Sequence, residues 1–265
     1  MNLFLSNKKL TLKMGIVRVI KHLSKEEALL FRFEVLRRIS RLLVPSYRFK
    51  WPYMEWWNDI IFNEYLDKFN EKKGLNTDRR WMLYQIMRLT ENIPGDTAEC
   101  GVYKGAGSYI ICKLNQENKS FRRVHYLFDS FEGLSTPLKK DGKYWSKGDL
   151  SCPLDVLKDN LSKFNKISIH KGWIPQCFSG VESSSFCFVH IDVDLYAPTL
   201  DSLNFFYSRM SRGGVILCDD YGCTTCPGAT EAVDSFLEDK EEKMLSLSGG
   251  GGFLIKGTKT SRGLG

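Results

Sequence analysis

Apolar residues along the chain follow two periods, and the change comes near residue 95. Before it they recur at helical spacing. Met14–Leu23 and Ala28–Val44 predict two amphipathic helices, the second carrying Arg32, Arg37, Arg38 and Arg41. Trp51–Trp57 breaks the pattern and starts a further helix through Phe69, and the polar stretch Glu71–Thr77, with Gly74, predicts a loop. Asp78 is the expected N-cap of a helix over Arg79–Glu91, whose Met82, Leu83, Ile86 and Leu89 recur at helical spacing. Asn92-Ile-Pro-Gly95 ends it.

After Pro94-Gly95 short apolar runs alternate with longer helical patterns. Thr97–Gly101, Val124–Asp129, Ile167–His170, Phe186–Asp192 and Gly214–Asp219 predict strands. Met244–Leu247, a run of glycines and Phe253–Lys256 predict a closing antiparallel hairpin. The expectation is an α/β fold: a mostly parallel seven-stranded sheet with helices on both faces and a helical N-terminal extension. In such sheets ligands bind beyond the carboxyl ends of the strands, where several of these runs end in acidic residues.

Composition narrows the classes. With 265 residues, 43% hydrophobic and 26% charged, the chain is of ordinary globular type. Its eight cysteines are too sparse for a disulfide scaffold and are expected as free thiols. No run approaches the ~20 apolar residues of a membrane span. Met1–Lys9 has too short an apolar stretch and the wrong charge order for a secretory signal, so a cytoplasmic location is expected. Residues 1–94 carry 18 basic and 10 acidic side chains, residues 95–265 carry 20 and 21. The basic excess thus belongs to the N-terminal third. No base-reading or stacking motif accompanies it, which argues against nucleic acid. A solvated basic face is preferred over contact with an anionic membrane or an acidic substrate.

The first predicted strand leads into Glu99-Cys-Gly-Val-Tyr-Lys-Gly-Ala-Gly-Ser108. Glycines at a strand-to-helix turn let the backbone approach a ligand, and the helix start behind offers unpaired N–H groups. This is not the dinucleotide pattern G-x-G-x-x-G. Glu99 at its head suits a ligand with a positive amino group. Asp129, ending the second strand, can accept hydrogen bonds from ribose hydroxyls. Together these suggest S-adenosylmethionine, with Trp173 a candidate to cover its adenine.

His190-Ile-Asp192-Val-Asp194-Leu-Tyr196 and Cys218-Asp219-Asp220-Tyr221-Gly222 concentrate carboxylates at two more strand ends. Asp192, Asp219 and Asp220 on one rim would repel unless a cation sat among them. An all-oxygen set suits Mg²⁺ better than Zn²⁺. Cys223-Thr-Thr-Cys226 lacks the second pair a zinc site needs. His170 and His190 lie in or beside apolar strands and read as packed, hydrogen-bonded residues.

Glu99–Gly105, Asp129-Ser-Phe-Glu-Gly133, Ile191–Tyr196 and Gly213–Gly222 resemble the macrocin/mycinamicin type of sugar O-methyltransferases. The similarity spans about residues 76–257 and includes the helix Arg79–Glu91 and Pro227–Asp234. It divides the chain into a basic helical extension (1–75), a methyltransferase domain (76–257) and a tail (258–265). The resemblance implies a Rossmann-like class I methyltransferase fold, S-adenosylmethionine, Mg²⁺ and sugar hydroxyls on small molecules as acceptors. It places Asp192, Asp219 and Asp220 on the metal. Glu99, the turn Gly101–Tyr103–Gly105–Gly107 with Ser108, and Asp129–Ser130 fall on the cofactor. Family members often have Asp-Gly-Asp where this chain has Val193.

Asp192 is the first candidate for the base and Asp194 the second, and Tyr144–Asp149 is a candidate lid. A catechol-type O-methyltransferase shares the metal layout but places a lysine base where this chain has Leu195. A nicotinamide-dependent oxidoreductase would need the absent diphosphate fingerprint, and a non-catalytic basic module predicts a decayed acidic set. A homo-oligomer is expected.

Overall fold

The computed structural model describes residues 25–43, 59–71 and 77–261. The chain divides into two compact units, Met1–Asn63 and Glu64–Gly265. The Met14–Leu23 and Trp51–Trp57 segments lie outside the described residues. In the first unit, helix α1 (Lys25–Leu43) covers the second amphipathic run, with Arg38 paired to Glu34 one turn away at 3.0 Å. Helix α2 (Ile60–Lys68) begins behind Asp59, whose carboxylate accepts the Phe62 N–H at 2.7 Å. No helix among the described residues is long and apolar enough to cross a membrane.

The second unit takes in the end of α2 and then α3 (Thr77–Met87), which tightens into a 3-10 turn at Arg88–Thr90. Asp78 lies inside the first turn of this helix and is not its N-cap, because helical backbone already starts at Thr77. The remaining elements alternate. They are β1 (Asp96–Cys100), α4 (Ala106–Glu117), β2 (His125–Asp129), α5 (Leu154–Leu161) and β3 (Ile167–Lys171). Then follow β4 (Phe186–Ile191), α6 (Tyr196–Phe206), β5 (Met210–Cys218), α7 (Pro227–Phe236), β6 (Leu245–Ser246) and β7 (Gly252–Ile255).

These seven strands form one sheet in the order β3-β2-β1-β4-β5-β7-β6. The first five strands are parallel, and β7 runs antiparallel to both β5 and β6. The expected parallel sheet with its closing hairpin is therefore present. Both faces are covered, as successive side chains on β2 show: Leu127 joins a cluster with Val102, Leu157 and Leu161, while Phe128 joins one with Phe178, Phe206 and Val233. Every residue of β4 is buried, which accounts for its continuous apolar run.

From β1 the chain winds outward to β2 and β3, then returns to place β4 on the other side of β1. Such a reversal leaves a crevice at the carboxyl ends of the two central strands. In the β1–β4 register Glu99 lies beside His190. The two predicted chemical centres thus meet at this switch point.

Candidate active site

A cavity of about 540 Å³ opens over the switch point. The loop after β1 forms one wall, with Asp129, Ser130 and Trp173 beyond it. Asp192, Asp194, Asp219 and Asp220 form the opposite rim together with Arg79 and Arg80 of α3. The volume is within the range of small-molecule sites.

Two glycines are set by close approach. At Gly101 (φ +80°) a Cβ would lie 1.8 Å from the Asp192 carbonyl oxygen, and at Gly107 it would lie 2.1 Å from Glu99 Oε1. The Glu99 carboxylate is buried and held from two sides. Oε1 pairs with His190 Nδ1 at 2.8 Å, and Oε2 accepts the Ser108 hydroxyl. Burial by itself would raise the Glu99 carboxyl, but His190 and Ser108 more than offset this and hold it below its ordinary value.

Asp129 organises the loop. Its Oδ2 accepts the N–H groups of Val102 and Tyr103 at 2.8 and 2.9 Å, and its Oδ1 accepts the Phe131 N–H at 2.6 Å. Ser130 donates to the Gly133 carbonyl at 3.0 Å. Tyr103 and Trp173 also line the cavity, both partly exposed. Two residues expected on the cofactor side stand off it. Ser108 is fully buried beneath the loop and meets His125 Nε2 at 3.0 Å besides Glu99. Gly105, left-handed at the start of α4, packs toward Leu157, which a Cβ would meet at 2.6 Å. Both belong to the support of the loop.

Across the cavity, Asp192, Asp219 and Asp220 converge as expected, but on a guanidinium. Arg79 Nη2 is in contact with Asp219 Oδ2, 3.4 Å from Asp220 Oδ1 and 4.0 Å from Asp192 Oδ1. It also donates to the Asp219 carbonyl at 2.8 Å. Arg80 Nη1 lies 3.6 Å from Asp192 Oδ2 and its Nε 3.5 Å from Glu71. Burial would lower the Arg79 guanidinium, but Asp219, Asp192 and Asp220 hold it above its usual value. Burial would likewise raise Asp219, yet Arg79, His190 and Arg80 hold it well down. The others go the opposite way: burial, with neighbouring carboxylates, pushes Asp192, Asp194 and Asp220 up.

Asp194 adopts a left-handed backbone (φ +60°), its N–H donates to Asp220 Oδ2 at 2.8 Å, and its carboxylate faces the Cys226 thiol at 3.5 Å. The positive φ falls on Asp194 and not on Val193, so a branched side chain fits the backbone at position 193. Val193 is buried and faces Gly101, whose Cβ would meet it at 3.2 Å.

The predicted lid segment is tied down. Gly148 donates to the Leu134 carbonyl at 2.9 Å, Leu134 to the Asp149 carbonyl at 2.8 Å, and the Trp145 indole reaches Cys226 at 3.3 Å. Trp145 and Leu150 line the cavity. This segment is a wall of the cavity.

Arg79 and Arg80 were not among the expected site residues. Their signal was local: cations in the first turn of a helix oppose its dipole, so two together need a compensating anion. Asp141 was also missed; it is buried, and its Oδ1 accepts the Tyr196 N–H at 2.7 Å at the start of α6.

The sequence profile of the Macrocin-O-methyltransferase (TylF) family matches residues 80–245. An 8-demethyl-8-(2,3-dimethoxy-alpha-L-rhamnosyl)-tetracenomycin-C 4'-O-methyltransferase of Streptomyces olivaceus is 28% identical over 153 residues, 53% of this chain and 58% of that protein. Mycinamicin III 3''-O-methyltransferase of Micromonospora griseorubida is 25% identical over 163 residues, 57% of this chain and 63% of that protein. The matches therefore span less than two thirds of either relative. The crystal structure of CalS11, a calicheamicin methyltransferase, superposes with a TM-score of 0.62 at 20% identity, covering 89% of this chain and 95% of that one. This likeness shows that the fold is Rossmann-like and of the class I O-methyltransferase type.

Proposed function

The chain belongs to the Macrocin-O-methyltransferase (TylF) family, and from that premise we propose that it methylates a hydroxyl of a sugar or glycosylated small molecule, using S-adenosylmethionine and a divalent cation. One observation carries the reading. A cavity of cofactor size has a glycine loop on one wall and three carboxylates converging on a single cationic point on the other.

The residues fit both groups. The three carboxylates that face Arg79 Nη2 are oxygen donors of the kind that suits a hard ion such as Mg²⁺, with Asp192 and Asp219 in ligand reach of His190, and Asp220 in reach of Asp194 and Cys226. Burial first and neighbouring carboxylates second push Asp192, Asp194 and Asp220 up, and a cation would relieve the second cause. On the cofactor side, Gly101 and Gly107 keep the loop close to the strand ends, with Glu99 and Asp129 at opposite ends of that wall.

When bound, S-adenosylmethionine supplies an electrophilic methyl group, and the cation supplies charge for a developing alkoxide. The protein does the rest. Asp129 fixes the loop that cradles the cofactor. Asp192, Asp219 and Asp220 are the residues that would hold the ion. Asp192 and Asp194 are the candidate proton acceptors; Asp194 has no guanidinium on its carboxylate among the described residues and faces the cavity, which favours it. Trp145, Leu150 and Trp173 supply apolar lining to the cavity.

Leu195 is buried at the position of the lysine base in a catechol-type enzyme, which favours a sugar-like acceptor over that alternative. The retained acidic set disfavours a non-catalytic module. We place the reaction in the cytoplasm, in keeping with eight free thiols. We assign the N-terminal basic segment to homo-oligomer assembly or to the acceptor pocket, for which its amphipathic pattern is the support. Titration calorimetry with S-adenosylmethionine and with NAD⁺ tests the cofactor, and methyl transfer from labelled S-adenosylmethionine to a panel of glycosides tests the activity. Tight NAD⁺ binding with no S-adenosylmethionine binding would overturn the reading.

A further inference from the structure

We propose that Arg79 is an internal counter-cation that occupies the metal position and must withdraw before a divalent ion can bind. The inference rests on the metal-assisted reading above and adds to it a competition built into the chain.

The geometry is specific. One nitrogen, Arg79 Nη2, touches Asp219 and lies 3.4 Å from Asp220 and 4.0 Å from Asp192, the three carboxylates that would ligate the ion. Its additional hydrogen bond to the Asp219 carbonyl, 2.8 Å, seats it at their meeting point. Two cations cannot share that point: their repulsion at such separations is large even with substantial screening.

Arg79 Nε is buried without a hydrogen-bond partner, as Arg80 Nη1 is. Arg79 lines the cavity, and its side chain is 19% exposed. It extends from the first turn of α3, where the helix dipole disfavours a cation and the carboxylates are its compensation. Arg80 differs. It is buried more deeply, and Glu71 holds its Nε at 3.5 Å, away from the Asp219–Asp220 pair. Arg80 Nη1 lies 3.6 Å from Asp192 and would stay beside it while Arg79 exchanges. The exchange keeps the carboxylates clustered in the absence of the ion, at the cost of weakening its binding.

The test measures Mn²⁺ binding to the full chain by counting free Mn²⁺ with electron paramagnetic resonance, with Mg²⁺ as competitor. Arg79→Gln should bind Mn²⁺ about 10-fold tighter or more, because the competing charge is gone. Arg79→Lys keeps the charge and should bind Mn²⁺ more weakly than Arg79→Gln. Equal or weaker binding by a folded Arg79→Gln would overturn the proposal, since it would make the arginine a support for the metal site. Should Arg79→Gln fail to fold, phenylglyoxal labelling of the wild-type protein decides: Arg79 should be protected without metal and react faster with Mg²⁺, and unchanged labelling under saturating Mg²⁺ would overturn it. Absence of Mn²⁺ binding to the wild type and to Arg79→Gln would overturn the metal-assisted reading itself, and the competition with it.

Discussion

His190 and Glu99 form a buried ion pair, Nδ1 to Oε1 at 2.8 Å, between the adjacent central strands β4 and β1. The other imidazole nitrogen lies 3.5 Å from Asp219 Oδ1, so one ring connects the cofactor wall to the carboxylate rim. Burial alone would lower the imidazole, but Asp219 and Glu99 push it up to about 10. The ring is buried and hydrogen-bonded, as read for it from sequence, and its pair with Glu99 favours the charged form. Removing it leaves Glu99 buried without its counter-ion, a change that costs about 3–5 kcal/mol. His190→Ala should lose that much stability by chemical denaturation. His190→Gln, which can still donate to Glu99, should lose less. Equal stability of all three proteins would show that the pair contributes nothing.

Asp129 is expected to act on the loop as well as on the cofactor. Three backbone N–H groups depend on its carboxylate, two of them from the loop 26 and 27 residues earlier. The Val102 and Phe131 donors are part-buried, and each left unpaired costs up to about 1–3 kcal/mol, while the Tyr103 N–H is exposed. Asp129→Ala should therefore weaken S-adenosylmethionine binding and lower Tm together, while Asp129→Asn, with one acceptor oxygen left, should fall between. A variant that lost affinity at unchanged Tm would confine Asp129 to ligand contact.

His125 gives a pH dependence. It is fully buried, with Nδ1 3.0 Å from Thr97 Oγ1 and Nε2 3.0 Å from Ser108 Oγ, and burial lowers it to about 4 despite the pull of Glu99. In the unfolded chain it takes a proton near its ordinary value of about 6.5. Between those values the unfolded state binds more protons, so stability falls as pH falls through this window. The slope is up to about 1.4 kcal/mol per pH unit. The readout is the stability difference between wild type and His125→Gln at pH 7.5 and pH 5, which cancels the contributions of the acidic rim. A difference that does not change with pH would show that His125 takes its proton as readily in the fold as in the unfolded chain.

Where pattern and packing agree, the fold was legible. The run Phe186–Ile191 is apolar on both faces because both faces of β4 are covered. β5 begins at Met210, four residues before its expected start, because Gly213-Gly214 broke the apolar pattern although the strand continues through them. The acidic strand ends were visible as single residues, and parallel pairing brought them to one rim. What lay beyond reach was pairing across the chain. Arg79 meets Asp219 across 140 residues, and nothing near either residue encodes the other. Ser108 and Gly105 were placed on the ligand because the motif fixes their spacing, whereas the turn directs them into the support beneath it.

The carboxylate rim carries the last prediction. Methyl transfer should stop in chelator and return with Mg²⁺, and it should fail when Asp219 or Asp220 becomes Ala. Asp219 faces Arg79 and His190 at once, and Asp220 holds the Asp194 N–H at 2.8 Å, so each truncation removes a metal ligand and a piece of the rim's order. Loss of a residue that merely orients a metal ligand costs about 10–100-fold, and loss of a ligand should cost at least the upper end of that range in kcat. S-adenosylmethionine affinity should change far less, because the loop and Asp129 lie on the other wall. Asn at either position keeps one ligating oxygen and the hydrogen-bond acceptor, so it should be milder than Ala. The two roles separate by metal titration: raising Mg²⁺ should partly restore Asp219→Asn and leave Asp219→Ala inactive. Full turnover in chelator would remove the ion from the reaction and leave Arg79 as the permanent cation of the site.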